Sequence, residues 1–468
     1  MASFILSTNS VTARTLNFAE TGVVTKDGEL IVTTTDAITA DGSHFVQING
    51  SVAAVSSSSH SALDFDGDNL HLFVGPNGFM NATNGDTVSV NATGTVRLQN
   101  AGTIMSGSDA VDIRQTDGAI NLSMSNSGMI MGESDGVALD GGSAAISLIN
   151  SGTIIGQEGY CIYMNWMFGS TGKTLLQNTG TIIGDDGSFT ASAGTGVNSI
   201  FNNGVMNGDI FLEGGNDFYE GGGGQISGIV FGGSGNDSLH GGAFTDVLAG
   251  GTNDDQLLGR GGDDELLGGD GNDFILGGAG NDQLEGGADN DTLNANAGDD
   301  VLLGEAGNDL LVGQDGSDVL DGGDDNDTLD GGNGDDILEG GSGNDILRGR
   351  DGEDELAGGE GRDFLTGGQG ADSFVFRSIA DAGIGANRDQ ILDFEQGVDL
   401  IVVAGLSPGV FEFRGTAAFA PSGNPELRLT ETATGSTIVQ MDTNGDGVAD
   451  AEIRVGGVTG LTADDFVL

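Results

Sequence analysis

The sequence predicts an all-β protein: an N-terminal parallel β-helix, then a parallel β-roll, then a β-rich C-terminal cap. Three observations carry this prediction. Five N-terminal segments share the pattern apolar-x-Asn-x-Gly-x-apolar at intervals of 24 to 28 residues. Residues 232–375 divide into sixteen nine-residue units without an insertion or deletion. Beyond residue 375 that period stops, and strand-like alternation of apolar and polar residues takes over.

Composition narrows the function before any motif is read. Of 468 residues 88 are Gly and only 4 are Pro, with no Gly-X-Y period, which excludes collagen. Acidic residues outnumber basic ones 71 to 14, a formal charge of −57. An electrostatic grip on nucleic acid or anionic lipid is thereby excluded, and partners should be cations or neutral surfaces. Recurring Leu, Ile, Val and Phe argue against wholesale disorder despite the charge. Cys161 is the one cysteine, so no intrachain disulfide forms and extracellular stability must come from elsewhere, a metal being the obvious source. Met1 to Ser10 has no basic residue before Phe4-Ile5-Leu6 and does not look like a secretory signal peptide; no apolar run is long enough to span a bilayer.

Residues 1–205 are assigned to the β-helix. LQNAGTI at 98, MSNSGMI at 124, LINSGTI at 148, LQNTGTI at 176 and IFNNGVM at 200 place Asn100, Asn126, Asn150, Asn178 and Asn202 at intervals of 26, 24, 28 and 24. Such spacing fits one coil per interval, with Asn stacked on Asn at a turn, flanking apolar residues in the core and insertions in loops on other faces. FVQINGSVAAV at 45 and DTVSVNATGTV at 86 read as strands of earlier or irregular coils. The Asn-Gly-Ile coils resemble passenger regions of bacterial adhesins and β-helical carbohydrate-active proteins. Residues 206–231, with GGNDFYEGGGGQISGIV from 214, form a degenerate lead-in to the roll.

The units of 232–375 run from GGSGNDSLH to GGQGADSFV. Position 1 is Gly in fifteen, with Ala295 the exception, and position 4 is Gly in twelve. Position 6 is Asp in all sixteen: Asp237, Asp246, Asp255, Asp264, Asp273, Asp282, Asp291, Asp300, Asp309, Asp318, Asp327, Asp336, Asp345, Asp354, Asp363 and Asp372. Position 8 is Leu in fourteen, Ile275 and Phe374 filling the others. Glycines at positions 1, 2 and 4 permit positive φ and close approach, so the first six residues favour a tight turn with carbonyls turned inward. The last three suit a very short strand with position 8 inside. Two units close an eighteen-residue coil, and stacked coils bring carboxylates and carbonyls into an all-oxygen cage suited to Ca²⁺. The segment carries 35 acidic and 4 basic residues, a net −31, so without metal it should be unfolded. Two columns of eight units leave about fourteen gaps for ions, fewer where the units starting at 241, 250, 286, 295 and 322 are degenerate.

This nonapeptide resembles the RTX (repeats-in-toxin) proteins, in which turn residues bind calcium between successive coils. Seven units match in full and contribute Gly232, Gly235, Gly268, Gly271, Gly277, Gly280, Gly331, Gly334, Gly340, Gly343, Gly358, Gly361, Gly367 and Gly370 beside the aspartates. A solvated acidic linker would need neither the position-8 Leu nor a fixed register.

Residues 376–468 follow, with RDQILDFEQGVDLIVVAGL at 388, DTNGDGVADAEIRV at 442 and a terminal DDFVL. This segment is similar to the C-terminal domain of serralysin-type secreted metalloproteases. The resemblance implies type I export by an uncleaved C-terminal signal. Read from its residues alone, the segment is a cap over the open end of a solenoid. Asp442, Asn444 and Asp446, with Asp450 nearby, match the first half of an EF-hand-like loop, but position 12 is Ile453; calcium binding and a turn between two strands both remain open there. Asp64-Phe-Asp66-Gly-Asp68 reads as a surface turn.

Catalytic signatures fail. The four histidines, His44, His60, His71 and His240, include no pair four apart, so no H-E-x-x-H zinc site exists. GESDG at 132 lies in a repeat turn instead of a strand–helix elbow, and GSTGKT at 169 has Met167 where a phosphate loop needs its first Gly. Trp166 and the histidines read as core or rim residues. Two classes of function remain. One is a secreted calcium-binding protein that folds on meeting calcium after type I export, its solenoid serving adhesion or surface and matrix association, with glycans as partners. The other is a carbohydrate-active enzyme, a lyase or epimerase, carried on the β-helix.

Overall fold

A computed structural model describes residues 2–16, 20–114, 121–141, 145–166, 172–192, 195–403, 405–407 and 409–468. It divides the chain into two compact units, Met1–Thr252 and Asn253–Leu468. Strands dominate both; among the described residues the helical pieces are short 3-10 turns at Ile379–Asp381, Gly385–Asn387 and Ala463–Asp465. Among the described residues no helix is long and apolar enough to cross a membrane.

The N-terminal unit is a parallel β-helix with three faces. On the first, Thr95–Asn100, Asn121–Asn126, Ala145–Asn150, Lys173–Asn178 and Val197–Asn202 pair in parallel with each Asn aligned on the next. The second is a separate nine-stranded sheet that includes Thr103–Ser106, Met129–Gly132, Thr153–Gly156 and Thr181–Gly184. The third stacks Val88–Ala92, Val111–Arg114, Val137–Gly141 and Tyr160–Trp166. Along the strands of the first face alternate residues point inward, so Leu98, Met124, Leu148, Leu176 and Ile200 make one core column, each about fully buried.

The Asn-x-Gly pattern is explained residue by residue. Asn100 Nδ2 donates to Asn126 Oδ1 at 2.8 Å, and the bond repeats at 2.9 Å from Asn126 to Asn150, Asn150 to Asn178 and Asn178 to Asn202. Each amide oxygen also accepts the N–H of the Gly two residues on, as Gly102 N to Asn100 Oδ1 at 3.1 Å. That Gly has no room for a side chain: a β-carbon on Gly152 would fall against the carbonyl oxygen of Gly128, on the coil before. Burying an amide is tolerable because every polar atom finds a partner.

Two sequence readings change here. The segment Asp64 to Asp68 is no turn; it lies within the strand Leu63–Val74, whose Phe65 is fully buried while Asp66 and Asp68 are exposed. Alternation around a core Phe outweighed the local Asp-Gly turn preference. Three-faced winding also continues past residue 205: Gln225–Ile226 still extends the second face, and Phe218–Glu220 pairs with Ser238–His240 twenty residues on. By Ile229–Ser234, pairing with Val247–Thr252, the coil has shortened to eighteen residues. GESDG sits in the turn between Met129–Gly132 and Val137–Gly141. The first half of GSTGKT, with Met167, and the Trp166 side chain lie outside the described residues, while Lys173 and Thr174 open the strand Lys173–Asn178.

The C-terminal unit opens as a two-faced roll. Strands of six residues, such as Phe274–Ala279, Thr292–Ala297 and Leu310–Asp315, pair in parallel with a shift of eighteen. The expected three-residue strands are therefore twice as long: each takes positions 7 to 9 of one unit and 1 to 3 of the next. Every position-8 side chain, Leu257 to Phe374, is fully buried. The cap continues both columns, Asp389–Ile391 pairing with Phe364–Leu365 and Leu400–Val402 with Ser373–Val375. An antiparallel meander of Glu426–Glu431, Thr437–Asp442 and Ala451–Val455 covers the end, and Phe466–Val467 closes the edge of Ile401–Val402.

Candidate metal centre

The turns of the roll are built around the position-6 aspartates. All sixteen are buried, with at most 5% of their surface exposed. One carboxylate oxygen of each is committed to the fold. Asp273 Oδ1 accepts the N–H of Asp255 at 2.7 Å, Asp291 that of Asp273, and so on through Asp309, Asp327, Asp345 and Asp363 in one column. The other column runs Asp264, Asp282, Asp300, Asp318, Asp336, Asp354 and Asp372 in the same way.

The second oxygen has no such use. In the twelve aspartates from Asp273 to Asp372, Oδ2 is buried without a hydrogen-bond partner. It faces the position-1 glycine of its own unit and the carbonyl oxygen of the coil above. A β-carbon placed on Gly322 would lie 2.5 Å from Asp327 Oδ2 and 2.6 Å from the oxygen of Gly340; one on Gly304 would lie 2.6 Å from Asp309 Oδ2 and 2.5 Å from the oxygen of Gly322. Position 1 is thus glycine to leave this oxygen-lined cradle open, not to reach positive φ as expected. Gly232, Gly268, Gly277, Gly331, Gly340, Gly358 and Gly367 all occupy it, and a β-carbon on any of them would press on the aspartate of its unit.

Positive φ belongs to positions 2 and 4. Gly235, Gly271, Gly280, Gly334, Gly343, Gly361 and Gly370 have φ between 118° and 158°. The apparent degeneracy of three units is cosmetic, since Asn253, Asp289 and Asp325 take φ of 78° to 79° at the same place, and Asn and Asp tolerate that region best. The unit starting at 241 differs in substance: Phe244 replaces the glycine and is 46% exposed, and Asp246 Oδ2 accepts the N–H of Gly242 at 2.7 Å.

Burial dominates the titration of these carboxyls. It raises Asp273, Asp282, Asp318, Asp354, Asp363 and Asp372 to about 6. Asp291, Asp327, Asp336 and Asp345 rise to about 7, neighbouring aspartates adding to the burial. An anionic oxygen that is buried, unsatisfied and repeated along two columns calls for a cation. Carboxylate and carbonyl oxygens are hard donors, the set that calcium takes.

Three aspartates outside the nonamer register, Asp217, Asp389 and Asp399, repeat the same bond. Asp217 Oδ1 accepts the N–H of Asn198, and Asp237 Oδ1 that of Asp217, in the N-terminal unit. In the cap, Asp389 Oδ1 accepts from Asp363 at 2.8 Å and Asp399 Oδ1 from Asp372 at 3.1 Å. Asp389 is fully buried, its Oδ2 is unpartnered, and burial with Asp363 nearby raises it to about 8. Asp399 Oδ2 is taken by the N–H of Glu395. The signal was present: Asp217-Phe-Tyr219, Asp389-Gln-Ile391 and Asp399-Leu-Ile401 each set Asp two residues before an inward apolar side chain.

The loop from Asp442 to Asp450 joins two antiparallel strands, as its turn reading expects. Asp442 Oδ1 accepts from Gly445 N at 2.7 Å and Asp442 Oδ2 from Gly447 N at 2.6 Å; Asn444 Oδ1 takes Asp446 N and Asp450 Oδ2 takes Thr443 N. A further acidic group, Asp86, Asp109 and Asp112, lies on the β-helix with Arg114 Nη2 2.6 Å from Asp112 Oδ2.

A family comparison agrees with this geometry. The RTX calcium-binding nonapeptide repeat (4 copies) family matches in overlapping windows from residue 231 to residue 374. These residues are RTX calcium-binding repeats. Calcium is their cofactor, and a β-roll is their fold. Among solved structures the chain is similar to the AlgE6R3 subunit of an Azotobacter vinelandii mannuronan C5-epimerase, with 32% identity, a TM-score of 0.26, and 31% of this chain and 78% of that one covered. The AlgE6R2 subunit of the same enzyme shows 30% identity and a TM-score of 0.23 over 29% of this chain and 88% of that one. No curated protein matches.

Proposed function

We propose that this chain is a secreted calcium-binding protein whose roll folds on calcium after type I export, leaving the N-terminal β-helix to mediate adhesion or association with a surface or matrix. The row of unsatisfied Oδ2 atoms from Asp273 to Asp372 is the observation that supports it. In a cytoplasm poor in free calcium those buried charges oppose folding and keep the repeats threadable; outside, calcium binding adds folding free energy. Export would use the uncleaved segment 376–468. Affinities of about 10⁻⁴ to 10⁻³ M, typical of extracellular modules, would suffice. Limited proteolysis tests the proposal: residues 253–375 should be cut rapidly in chelator and protected in millimolar calcium, while the β-helix resists in both. Equal protection of the repeats with and without calcium would refute it.

A further inference from the structure

The outward face of the Asn-ladder strands is chemically unlike the rest of the molecule. The strands Thr95–Asn100, Asn121–Asn126, Ala145–Asn150, Lys173–Asn178 and Val197–Asn202 contain no acidic residue, in a chain that has 71. Their charged side chains are Arg97 and Lys173, both exposed. Among the described residues neither has an ion-pair or hydrogen-bond partner, whereas Arg114, Arg350, Arg377, Arg388 and Arg414 each hold a carboxylate. Two uncompensated cations on a protein of charge −57 mark the place where an anion is tolerated.

The same face is hollow. A groove of about 630 Å³ is lined by Asn121, Ser123, Ser147, Lys173, Leu175 and Ser199 among others. A second hollow of about 370 Å³, lined by His44, His71, Asn69 and Arg97, shares Thr95 with it. Thr95, Asn121, Ala145 and Lys173 are successive register partners, so the lysine stands three strand spacings, about 14 Å, from the Thr95 row that adjoins Arg97. His71 is fixed beside Arg97 by register, by a 3.1 Å bond to Gln99 Oε1 and by an edge contact with Phe45.

We propose that this groove binds a linear carboxylated glycan, a polyuronate laid across the strands with its acid groups on Arg97 and Lys173. This rests on the reading of the β-helix as a surface-association module and names its ligand class. Serine, threonine and amide side chains that both donate and accept match a chain of hydroxyls, and Leu175 offers an apolar patch for sugar C–H faces. An acidic peptide would gain affinity mainly by adding a strand, and a sheet face offers no free backbone for that.

The test uses the calcium-loaded full chain, titrated with hexagalacturonate and with neutral maltohexaose. The uronate should bind more tightly, and Arg97→Glu/Lys173→Glu should weaken it about tenfold or more, while the exposed control Lys26→Glu changes it less than about twofold. Unchanged circular dichroism shows that the double variant folds. Equal affinity in the double variant, no preference over maltohexaose, or equal competition by poly-glutamate would overturn the proposal. Binding to other glycans without uronate preference would overturn it and leave the adhesion reading standing; absence of binding to any glycan or cell surface would sink both.

Discussion

Asp327 shows how one side chain serves both fold and ligand. Its Oδ1 accepts the N–H of Asp309 at 2.8 Å, and its Oδ2 is left for a cation. Asp327→Asn keeps the first contact and removes the second charge. Calcium titration should show that site weakened by about tenfold or more and the folding midpoint moved to higher calcium, with the plateau spectrum unchanged. The raised carboxyls set a pH dependence whose sign differs with and without metal. Unfolded aspartate titrates near 3.9, and these fold with values of about 6 to about 7, so the folded, metal-free roll binds the extra protons. Its stability should therefore fall as pH rises from about 4 through about 7 and stay at the low level above. In chelator, circular dichroism should report more roll at pH 5 than at pH 8. Calcium affinity should move the other way, falling with acid as protons compete.

At the scale of elements, the two halves are held by different devices. Asn150 donates to Asn178 and accepts from Asn126 and Gly152, so Asn150→Ala breaks a buried network in mid-column. We expect a loss of about 2 to 4 kcal/mol in the stability of the β-helix, read by thermal melting and indifferent to calcium. A calcium-dependent loss would show that the ladder is no independent support. In the cap, deleting residues 463–468 removes the strand Phe466–Val467 and bares the edge of Ile401–Val402. Light scattering should then detect association of the purified, calcium-loaded chain, since an unpaired edge recruits other strands. Much of this was legible in the sequence. A strict period names its own coil, and position-8 leucines point one way only. The role of position 1 was not, because the demand on Gly322 comes from a carbonyl eighteen residues on. Nor were the position-5 side chains legible, where Asn272, Asn290, Asn308, Asn326 and Asn344 bond along an exposed ladder. Asp389 and Asp399 escaped notice because their spacing of 26 and 27 residues from the roll breaks the nonamer count.

For the whole molecule, charge decides what calcium does. The Asn ladder of the β-helix satisfies its buried amides within the chain, while the repeats bury carboxylate oxygens that have no hydrogen-bond partner. Folding of the repeats and uptake of calcium should accordingly be one event. The most direct measurement follows both at once: the chelated full chain is titrated with calcium while far-ultraviolet circular dichroism and bound calcium are recorded on the same samples. The account predicts that the β signal rises cooperatively in step with uptake of on the order of ten or more ions per chain. A spectrum already complete in chelator, or a full transition with only one or two ions bound, would contradict it.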